Sequence, residues 1–223
     1  MNGKTAVMIG ATGLVGSQLL EQLLGDDRFS RIVSFGRRQT GKTHAKLEER
    51  VINFEDPASW RAEVKGDVAF SCLGTTIKQA GSKEAQRKVD YTYQLQFAES
   101  AKANGIPVYS LCSAASANPK SPAFYSRIKG ELDRDVGALN FERTRIFRPS
   151  LLLGDRGERE RLGEKMAAPV LRGLNAIGLF RKSRGIEGST VARAMIRATF
   201  DEKPGTTIYT LDEVFSAAGE SLD

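Results

Sequence analysis

The segment KTAVMIGATGLVGSQLLEQLLG, residues 4–25, decides the fold class. Residues 4–10 form an apolar run typical of a buried strand, and residues 14–25 place leucines at helical spacing before a closing glycine. Between the two elements, three glycines follow the spacing Gly-x-x-Gly-x-x-Gly, at Gly10, Gly13 and Gly16. Such a turn lets a pyrophosphate approach the backbone and the N-terminus of the helix. The segment therefore predicts a βα unit that binds a dinucleotide.

The same alternation of strand and helix continues along most of the chain. Short apolar or β-branched runs that predict further strands lie at residues 31–36, 50–54, 67–74, 107–113 and 143–150. Helical patterns separate them, including a long helix over 82–104 and a helix around Tyr125. This alternation is typical of βαβ units, which build a parallel sheet with helices on both faces. We therefore predict an α/β Rossmann fold with a doubly wound parallel sheet.

The chain length favours a single domain. A chain of 223 residues is long enough for one large core and short for two. After Pro149 the alternation breaks, although residues 188–200 predict a helix and residues 205–211 an edge strand. We therefore predict one NAD(P)-binding domain over residues 1–223, in which residues 155–223 form a small C-terminal part that covers the substrate.

Composition and cysteine usage exclude several classes of protein. No run approaches the roughly 18–20 apolar residues of a membrane span, and glycines interrupt the apolar run near the N-terminus, which argues against a signal peptide. Cys72 and Cys112 lie in apolar, strand-like runs, so we expect a reduced, cytoplasmic protein without a disulfide framework. The single histidine, His44, has no cysteine or carboxylate cluster at ligand spacing. No metal site is expected.

The positive charge of the chain is confined to one region. The formal net charge is +6, and residues 156–184 contain eight basic and three acidic residues, an excess of +5. The segment lacks the interleaved aromatic residues of a protein that binds single-stranded nucleic acid. We interpret it as a solvated helical face or a mobile cover over the substrate rather than a surface for a polyanion or a membrane. No nucleic-acid partner is expected.

The end of the second predicted strand indicates which dinucleotide binds. An NAD site normally places Asp or Glu there, about 20 residues after the glycines, to bind the ribose 2′-hydroxyl. This chain instead has Gly36, Arg37 and Arg38. Guanidinium groups suit a 2′-phosphate, so the sequence favours NADP(H) over NAD. The alternative is that both arginines are loop charges that point into water.

A serine, a tyrosine and a lysine converge on the expected position of the nicotinamide. Ser113 closes the fifth predicted strand, and Tyr125 and Lys129 lie one turn apart on one face of the next helix. Lowering the pKa of a phenol from about 10 to about 7 requires about 4 kcal/mol, which a nearby ammonium group could supply. The alternative roles are structural: a helix cap for Ser113, a half-buried core residue for Tyr125 and a surface charge for Lys129.

Five motifs together give the chain a family resemblance: GATGLVG, SFGRR, CLGTT, FYSRIKGELD and FRPSLLLGDR. They resemble the short-chain dehydrogenase/reductase superfamily, and within it the atypical branch of the Tat-interacting oxidoreductase-like proteins and their bacterial relatives. The resemblance implies catalysis by Ser113, Tyr125 and Lys129. It implies cofactor binding by Gly10, Thr12, Gly13, Leu14, Val15, Arg37, Cys72, Leu73 and Gly74. We also expect Arg38, Tyr125 and Lys129 to contact the cofactor.

The chain departs from the superfamily pattern at two places. Most of the superfamily has Asn-Asn-Ala-Gly where this chain has Cys72-Leu73-Gly74-Thr75. The helical asparagine that extends the proton relay has no clear equivalent, unless Asp90 stands near its position. The later steps of the relay are therefore left open.

The function expected from these residues is an NADP(H)-dependent oxidoreductase that transfers hydride between the nicotinamide and a carbonyl or alcohol substrate. Two alternatives stay open: a nucleotide-sugar epimerase or dehydratase, and a non-catalytic regulatory protein that senses NADPH. The expected partner is the small carbonyl or alcohol compound itself. A homodimer is allowed, and the sequence does not decide between it and a monomer.

Overall fold

The structure is a computed structural model that describes residues 3–153 and 185–220. Elements are numbered over these residues. Seven parallel strands form one sheet in the order β3-β2-β1-β4-β5-β6-β9. Their bounds are β1 (Lys4–Ile9), β2 (Phe29–Gly36), β3 (Leu47–Val51), β4 (Val68–Ser71), β5 (Val108–Cys112), β6 (Arg143–Arg148) and β9 (Gly205–Thr210). A separate short parallel pair joins β7 (Leu152–Leu153) to β8 (Ile186–Glu187).

Helices cover both faces of this sheet. They are α1 (Leu14–Leu24), α2 (Ile77–Ala80), α3 (Lys83–Arg87), α4 (Tyr93–Ala103), α5 (Phe124–Ala138), α6 (Gly188–Ala198) and α7 (Asp212–Ala218). A π-helical turn, Lys88–Thr92, joins α3 to α4, and two short 3₁₀ turns lie at Pro57–Ser59 and Arg61–Glu63. In the described part of the chain, no helix has the length and apolar character needed to cross a membrane.

Alternation of buried side chains along β1 explains the two helical layers. Ala6 and Met8 pack into one core cluster, which α1, α6 and α7 complete. Val7 and Ile9 point to the opposite face, into the cluster that α4 and α5 complete. A strand buried on both faces needs a continuous apolar run, which is what the sequence has here. The predicted α/β doubly wound parallel sheet is therefore confirmed as a single-domain Rossmann-like fold.

The strand order fixes where a ligand can bind. The chain runs from β1 through β2 to β3 on one side and from β4 to β6 on the other, so the order reverses between β1 and β4. In open α/β sheets, ligands bind beyond the carboxyl ends of the strands at this reversal. The glycine turn after β1 and the loop after β4 therefore face one crevice.

The structure differs most from the sequence prediction in two strands and one helix. Strand β3 covers residues 47–51 rather than 50–54, and β4 ends at Ser71 rather than at residue 74. The helix predicted over 82–104 is interrupted by the π-helical turn around Asp90. Hydrophobic periodicity does not reveal such a turn, because the extra residue keeps the helix continuous while it shifts which side chains face the core.

The described C-terminal residues complete the sheet and one helical layer. Strand β9 pairs with β6 at the edge, as the sequence predicts for this segment. Helix α6 packs on α1, and a Cβ on Gly188 would lie 2.8 Å from the Leu14 carbonyl oxygen. The prediction that residues 155–223 cover the substrate stays a prediction, and the basic segment 156–184 lies outside the described residues.

Candidate cofactor and active site

The glycine turn brings the backbone after β1 against the backbone after β4. Gly10 has a φ of +86°, in the left-handed region that favours glycine. A Cβ on Gly10 would collide with the Cys72 backbone, and a Cβ on Gly16 would collide with the Gly10 carbonyl group. The Gly13 N–H closes the turn by donating to the Gly10 carbonyl oxygen at 2.9 Å. The spacing of these glycines is therefore required by the packing of the turn itself.

The N-terminus of α1 is suited to an anion. Its N-cap residue is Gly13, which has no side chain to bond the first N–H groups of the helix, and the first turn has no acidic residue. The unpaired N–H groups and the helix dipole give this end a partial positive charge. A pyrophosphate is an anion of the kind that such an end binds.

A cleft of about 300 Å³ joins this turn to the end of β2. Its lining residues are Gly10, Ala11, Thr12, Ser34, Phe35, Gly36, Arg37, Arg38, Thr40, Phe54 and Leu73. Five of the predicted cofactor residues are therefore neighbours in space. A second cavity, of about 350 Å³, lies near Gly25 at the C-terminal end of α1, remote from the glycine turn, and we assign it no part in the site.

Arg37 and Arg38 lie at the open side of the cleft. Both are exposed, and neither forms a hydrogen bond or ion pair with another described residue. Arg37 is close enough to Tyr93 to lower the pKa of that phenol, although burial and Glu55 together raise it to about 12. The two guanidinium groups are therefore available to a ligand in the cleft.

The loop after β4, residues 72–75, is held from two sides. The Cys72 N–H donates to the Ile9 carbonyl oxygen at 3.0 Å, which continues the pairing of β4 with β1. The Thr75 N–H donates to the Asp90 carboxylate at 3.3 Å, and the Gln86 side-chain amide donates to the Thr75 carbonyl oxygen at 3.1 Å. This double attachment fixes Leu73 and Gly74 at the crevice.

The two cysteines behave as apolar residues, Cys112 buried and Cys72 half-buried. Both thiols are free, and burial raises the pKa of each, that of Cys112 to about 11. The Cys72 sulfur lies 3.9 Å from the Met195 sulfur, in the core beneath the crevice. Neither thiol is suited to nucleophilic chemistry, because the reactive form is the thiolate.

The structure brings Ser113, Tyr125 and Lys129 together at the carboxyl edge of the sheet. Ser113 follows β5, and its N–H donates to the Phe147 carbonyl oxygen at 2.7 Å. Tyr125 lies in the first turn of α5 and is 41% exposed, whereas Lys129 is 2% exposed. The Lys129 Nζ donates to the Cys112 carbonyl oxygen at 3.4 Å, next to Ser113. Their catalytic and binding roles stay predictions.

The glycine after Lys129 explains how α5 reaches this position. A Cβ on Gly130 would collide with the backbone of Asn118 and Pro119, in the loop between β5 and α5. The helix can therefore lie directly against that loop only because residue 130 has no side chain. This close approach carries Lys129 down to the end of β5.

Lys129 keeps its charge despite its burial. Burial works to lower the pKa of its ammonium group, but Tyr125, Asp90, Cys112 and Asp133 raise it, so that the pKa lies above its ordinary value. A positive charge next to a phenol favours the phenolate. The arrangement can therefore stabilise a tyrosine that exchanges a proton.

Sequence reasoning missed one buried charged pair at this site. The Arg148 Nε, at the end of β6, donates to the Asp133 carboxylate at 2.8 Å, and the Asp133 side chain is 2% exposed. The available signal was spacing, since Tyr125, Lys129 and Asp133 are four residues apart and lie along one helical stripe.

The Ser113 hydroxyl lies near this pair. Ser113 is close enough to lower the pKa of the Asp133 carboxyl, which burial nevertheless raises overall. No hydrogen bond of standard geometry joins the two groups, and the Ser113 Oγ and one Asp133 oxygen are buried without a partner among the described residues.

Comparison with known proteins gives three kinds of match. Residues 5–90 match the family described as "Semialdehyde dehydrogenase, NAD binding domain". The mitochondrial protein FMP52 of Candida albicans is 33% identical over 220 residues, which cover 96% of this chain and 95% of that protein. The protein HTATIP2 of Rattus norvegicus is 35% identical over 200 residues, which cover 88% and 81%.

Solved structures agree with the fold. The dTDP-glucose 4,6-dehydratase DesIV of Streptomyces venezuelae superposes with a TM-score of 0.72 at 13% identity, over 92% of this chain and 74% of that chain. The UDP-glucose 4-epimerase of Thermotoga maritima gives a TM-score of 0.70 at 12% identity, over 92% and 76%. At such low identity these matches show the fold alone.

The relatives contradict one expectation. Two cysteines in apolar, strand-like runs led us to expect a reduced, cytoplasmic protein. The similar FMP52 proteins of several fungi are named mitochondrial, so the prediction of a cytoplasmic location is wrong. Cysteine usage could not make this distinction, because free buried thiols say nothing about which reducing compartment holds the protein.

Identity of a third over nearly the whole length of both chains is enough to assign the family. The Rossmann sheet and the glycine turn agree with that assignment. The chain therefore belongs to the FMP52 and HTATIP2 family of NAD(P)-binding Rossmann proteins, which resemble the short-chain dehydrogenases/reductases.

Proposed function

We propose that the protein is an NADP(H)-dependent oxidoreductase that transfers hydride between the nicotinamide and a carbonyl or alcohol carbon. The observation that carries the proposal is the charged, buried Lys129 one helical turn from Tyr125, beside Ser113 and at the sheet edge that the glycine turn also faces. A buried ammonium next to a phenol has a cost in desolvation, and proton transfer is a function that would justify it.

The residues of the crevice fit a nicotinamide dinucleotide. The uncapped N-terminus of α1 would hold the pyrophosphate, and the cleft between the glycine turn and Arg37 would hold the adenosine half. When bound, the cofactor supplies or accepts the hydride. The loop at Leu73 and Gly74 follows β4, and Lys129 on α5 reaches the end of β5. Both would hold the other half near Tyr125, because β4 and β5 lie on the far side of the reversal.

The charge of the cleft supports NADP(H) over NAD(H). Two exposed guanidinium groups, those of Arg37 and Arg38, have no acidic partner among the described residues. Strand β2 ends in glycine at Gly36, so no carboxylate stands where an NAD site binds the 2′-hydroxyl. Glu49, on the neighbouring strand, accepts a hydrogen bond from the Thr40 N–H at 2.6 Å and faces the loop instead.

Side chains of this protein transfer the proton that accompanies the hydride. In the reductive direction Tyr125 donates its phenolic proton to the substrate oxygen, and Lys129 stabilises the phenolate that remains. In the oxidative direction the phenolate takes the proton back from the alcohol. Ser113 holds the substrate oxygen by a hydrogen bond, for which its buried hydroxyl is free of other described partners.

A nucleotide-sugar epimerase or dehydratase is the second candidate. It stays open because an epimerase solved with UDP-glucose has this fold, although that match shows the fold alone and this chain covers only 76% of the Thermotoga maritima enzyme. Such an enzyme would convert UDP-glucose without net consumption of cofactor. Release of UDP-galactose, measured by chromatography, would favour this second candidate over the first.

To test the main proposal, the protein is incubated with NADPH and a panel of aldehydes, ketones and quinones, and the loss of NADPH absorbance is monitored. The wild-type protein should oxidise NADPH with at least one compound. Tyr125→Phe should lose most of that activity, whereas Tyr91→Phe is the matched control, since Tyr91 bonds Asp135 on the outer side of α5. Equal activity of Tyr125→Phe and Tyr91→Phe would exclude the proposed proton transfer.

A further inference from the structure

The ammonium group of Lys129 is buried and has few hydrogen-bond partners. The residue is 2% exposed, and among the described residues its Nζ donates only to the Cys112 carbonyl oxygen, at the long distance of 3.4 Å. An ammonium group has three N–H donors. Burial without compensation favours the neutral amine. Some other feature of the fold must therefore hold the proton on Lys129.

One compensating group lies a turn further along α5. Asp133 has a 2% exposed side chain, and Arg148 binds one of its oxygens at 2.8 Å. The other oxygen is buried and has no hydrogen-bond partner among the described residues. Its negative charge also acts on Lys129, four residues away on the same helical face.

The second group is Asp90, on the opposite wall. The π-helical turn between α3 and α4 directs Asp90 inward, where it is 1% exposed. One of its oxygens accepts the Thr75 N–H, and its charge acts on Lys129 from beneath the loop after β4. Single π-helical turns often occur at functional sites, where the extra residue redirects a side chain.

We propose that Asp90 and Asp133 are positioning residues, two buried carboxylates that together keep Lys129 in its charged form. Their role in catalysis rests on the function proposed above, but the charge balance does not. Lys129 and Arg148 contribute two positive charges, and Asp90 and Asp133 two negative charges. The other titratable groups that face Lys129 are the Tyr125 phenol and the thiols of Cys72 and Cys112, which are neutral in their protonated forms.

This balance has a consequence for each single substitution. Asparagine at position 90 or 133 leaves the cluster with one uncompensated positive charge in the core. Lys129 is the residue that can lose its proton and its positive charge, because the Arg148 guanidinium does not lose its proton in proteins. Lys129 then becomes neutral at a lower pH, and the charge that tunes Tyr125 is lost.

The test is a ¹³C NMR titration of lysine Cε in the whole protein, which needs no substrate. The Lys129 signal is the one absent from Lys129→Arg. In the wild-type protein it should stay in the charged form up to the highest pH at which the fold persists. In Asp90→Asn and in Asp133→Asn its titration midpoint should fall by about one to three pH units.

Asp135→Asn is the matched control on the same helix. Asp135 is 25% exposed in its side chain and pairs with Arg134 at 2.7 Å, and it does not act on Lys129. This variant should leave the Lys129 midpoint unchanged. Circular dichroism shows whether each variant folds. Asp90→Asn retains the main structural contact of this position, because the oxygen of the new side-chain amide can still accept the Thr75 N–H.

The result that overturns the inference is a Lys129 signal that stays in the charged form over the same pH range as in the wild-type protein in both folded variants. If one variant does not fold, the other decides. Failure of the proposed function is a separate result. The protein could oxidise no NADPH with any carbonyl compound and still show the predicted fall in the Lys129 midpoint. In that case the inference that the two carboxylates keep Lys129 charged would stand without the proposed function.

Discussion

Replacing Lys129 with methionine removes one buried charge and keeps most of the side-chain volume. Side chains four residues apart on a helix have Cβ atoms about 5–6 Å apart. A pair of unit charges at about 6 Å, at an effective dielectric constant of about 20, interacts by about 3 kcal/mol. Because the ammonium stabilises the phenolate, its loss should raise the pKa of Tyr125 by about two pH units.

The other tyrosines make this change measurable by ultraviolet absorbance of tyrosinate. Burial and neighbouring groups raise the pKa of Tyr91 and Tyr93 to about 12, and burial also raises the pKa of Tyr109 and Tyr209. The first tyrosine to ionise on raising the pH should therefore be Tyr125. Lys129→Met should move this first step to higher pH, and Tyr125→Phe should abolish it.

Two results would exclude the proposed effect of Lys129 on the pKa of Tyr125. If Tyr125→Phe keeps the first ionisation step, that step belongs to another tyrosine. If Lys129→Met leaves the step at its wild-type pH, the ammonium does not act on the phenol. Lys102→Met is a suitable control, because Lys102 is on α4 and donates to the Asn140 carbonyl oxygen far from the site.

Three further predictions concern the cofactor and the fold. NADPH should bind at least about tenfold more tightly than NADH, since a charge-assisted contact contributes about 1.5–3 kcal/mol. Arg37→Asp should narrow or reverse this ratio of affinities, and equal dissociation constants in the wild-type protein would contradict the proposed preference for NADP(H). Gly16→Ala should abolish cofactor binding or folding because its Cβ collides with the Gly10 carbonyl group. Gly137→Ala, whose Cβ would make only an ordinary contact of 3.9 Å with the Thr206 hydroxyl, should change the free energy of unfolding in urea by no more than about 1 kcal/mol. Arg145→Met should lower the free energy of unfolding in urea by about 3–5 kcal/mol, because the carbonyl oxygens of residues 198, 201, 203 and 205 lose their buried donor and each unpaired buried acceptor costs about 1–3 kcal/mol. Arg143→Met, on the same strand but partly exposed, should cost less than half as much.

The sequence predicted the sheet because its strands carry the strongest local signal. A strand buried on both faces is a continuous apolar run, and the glycine turn ties the first such run to a helix. Strand ends and helical spacing also placed Ser113, Tyr125 and Lys129 together, and the structure puts all three at one edge of the sheet.

What the sequence did not reveal depends on burial and on contacts between distant segments. Asp133 looks like one more charge on an amphipathic helix until Arg148, at the end of another strand, is seen to bind it. Asp90 lies in a π-helical turn that no periodicity marks, and only the fold places it under the loop after β4. The sequence shows Arg145 only as a charged residue in a predicted strand, and the fold reveals that it is fully buried and donates to carbonyl oxygens of distant segments.

The most direct test of the proposed function is single-turnover hydride transfer from NADPH to a carbonyl compound that the wild-type protein reduces. Tyr125→Phe removes one oxygen and should leave NADPH affinity within about twofold, but it should slow hydride transfer by about 100-fold or more, as expected for loss of a positioned proton donor. Tyr91→Phe should keep the wild-type rate. An unchanged rate in Tyr125→Phe would contradict the account and leave Tyr125 as a half-exposed residue at the start of α5.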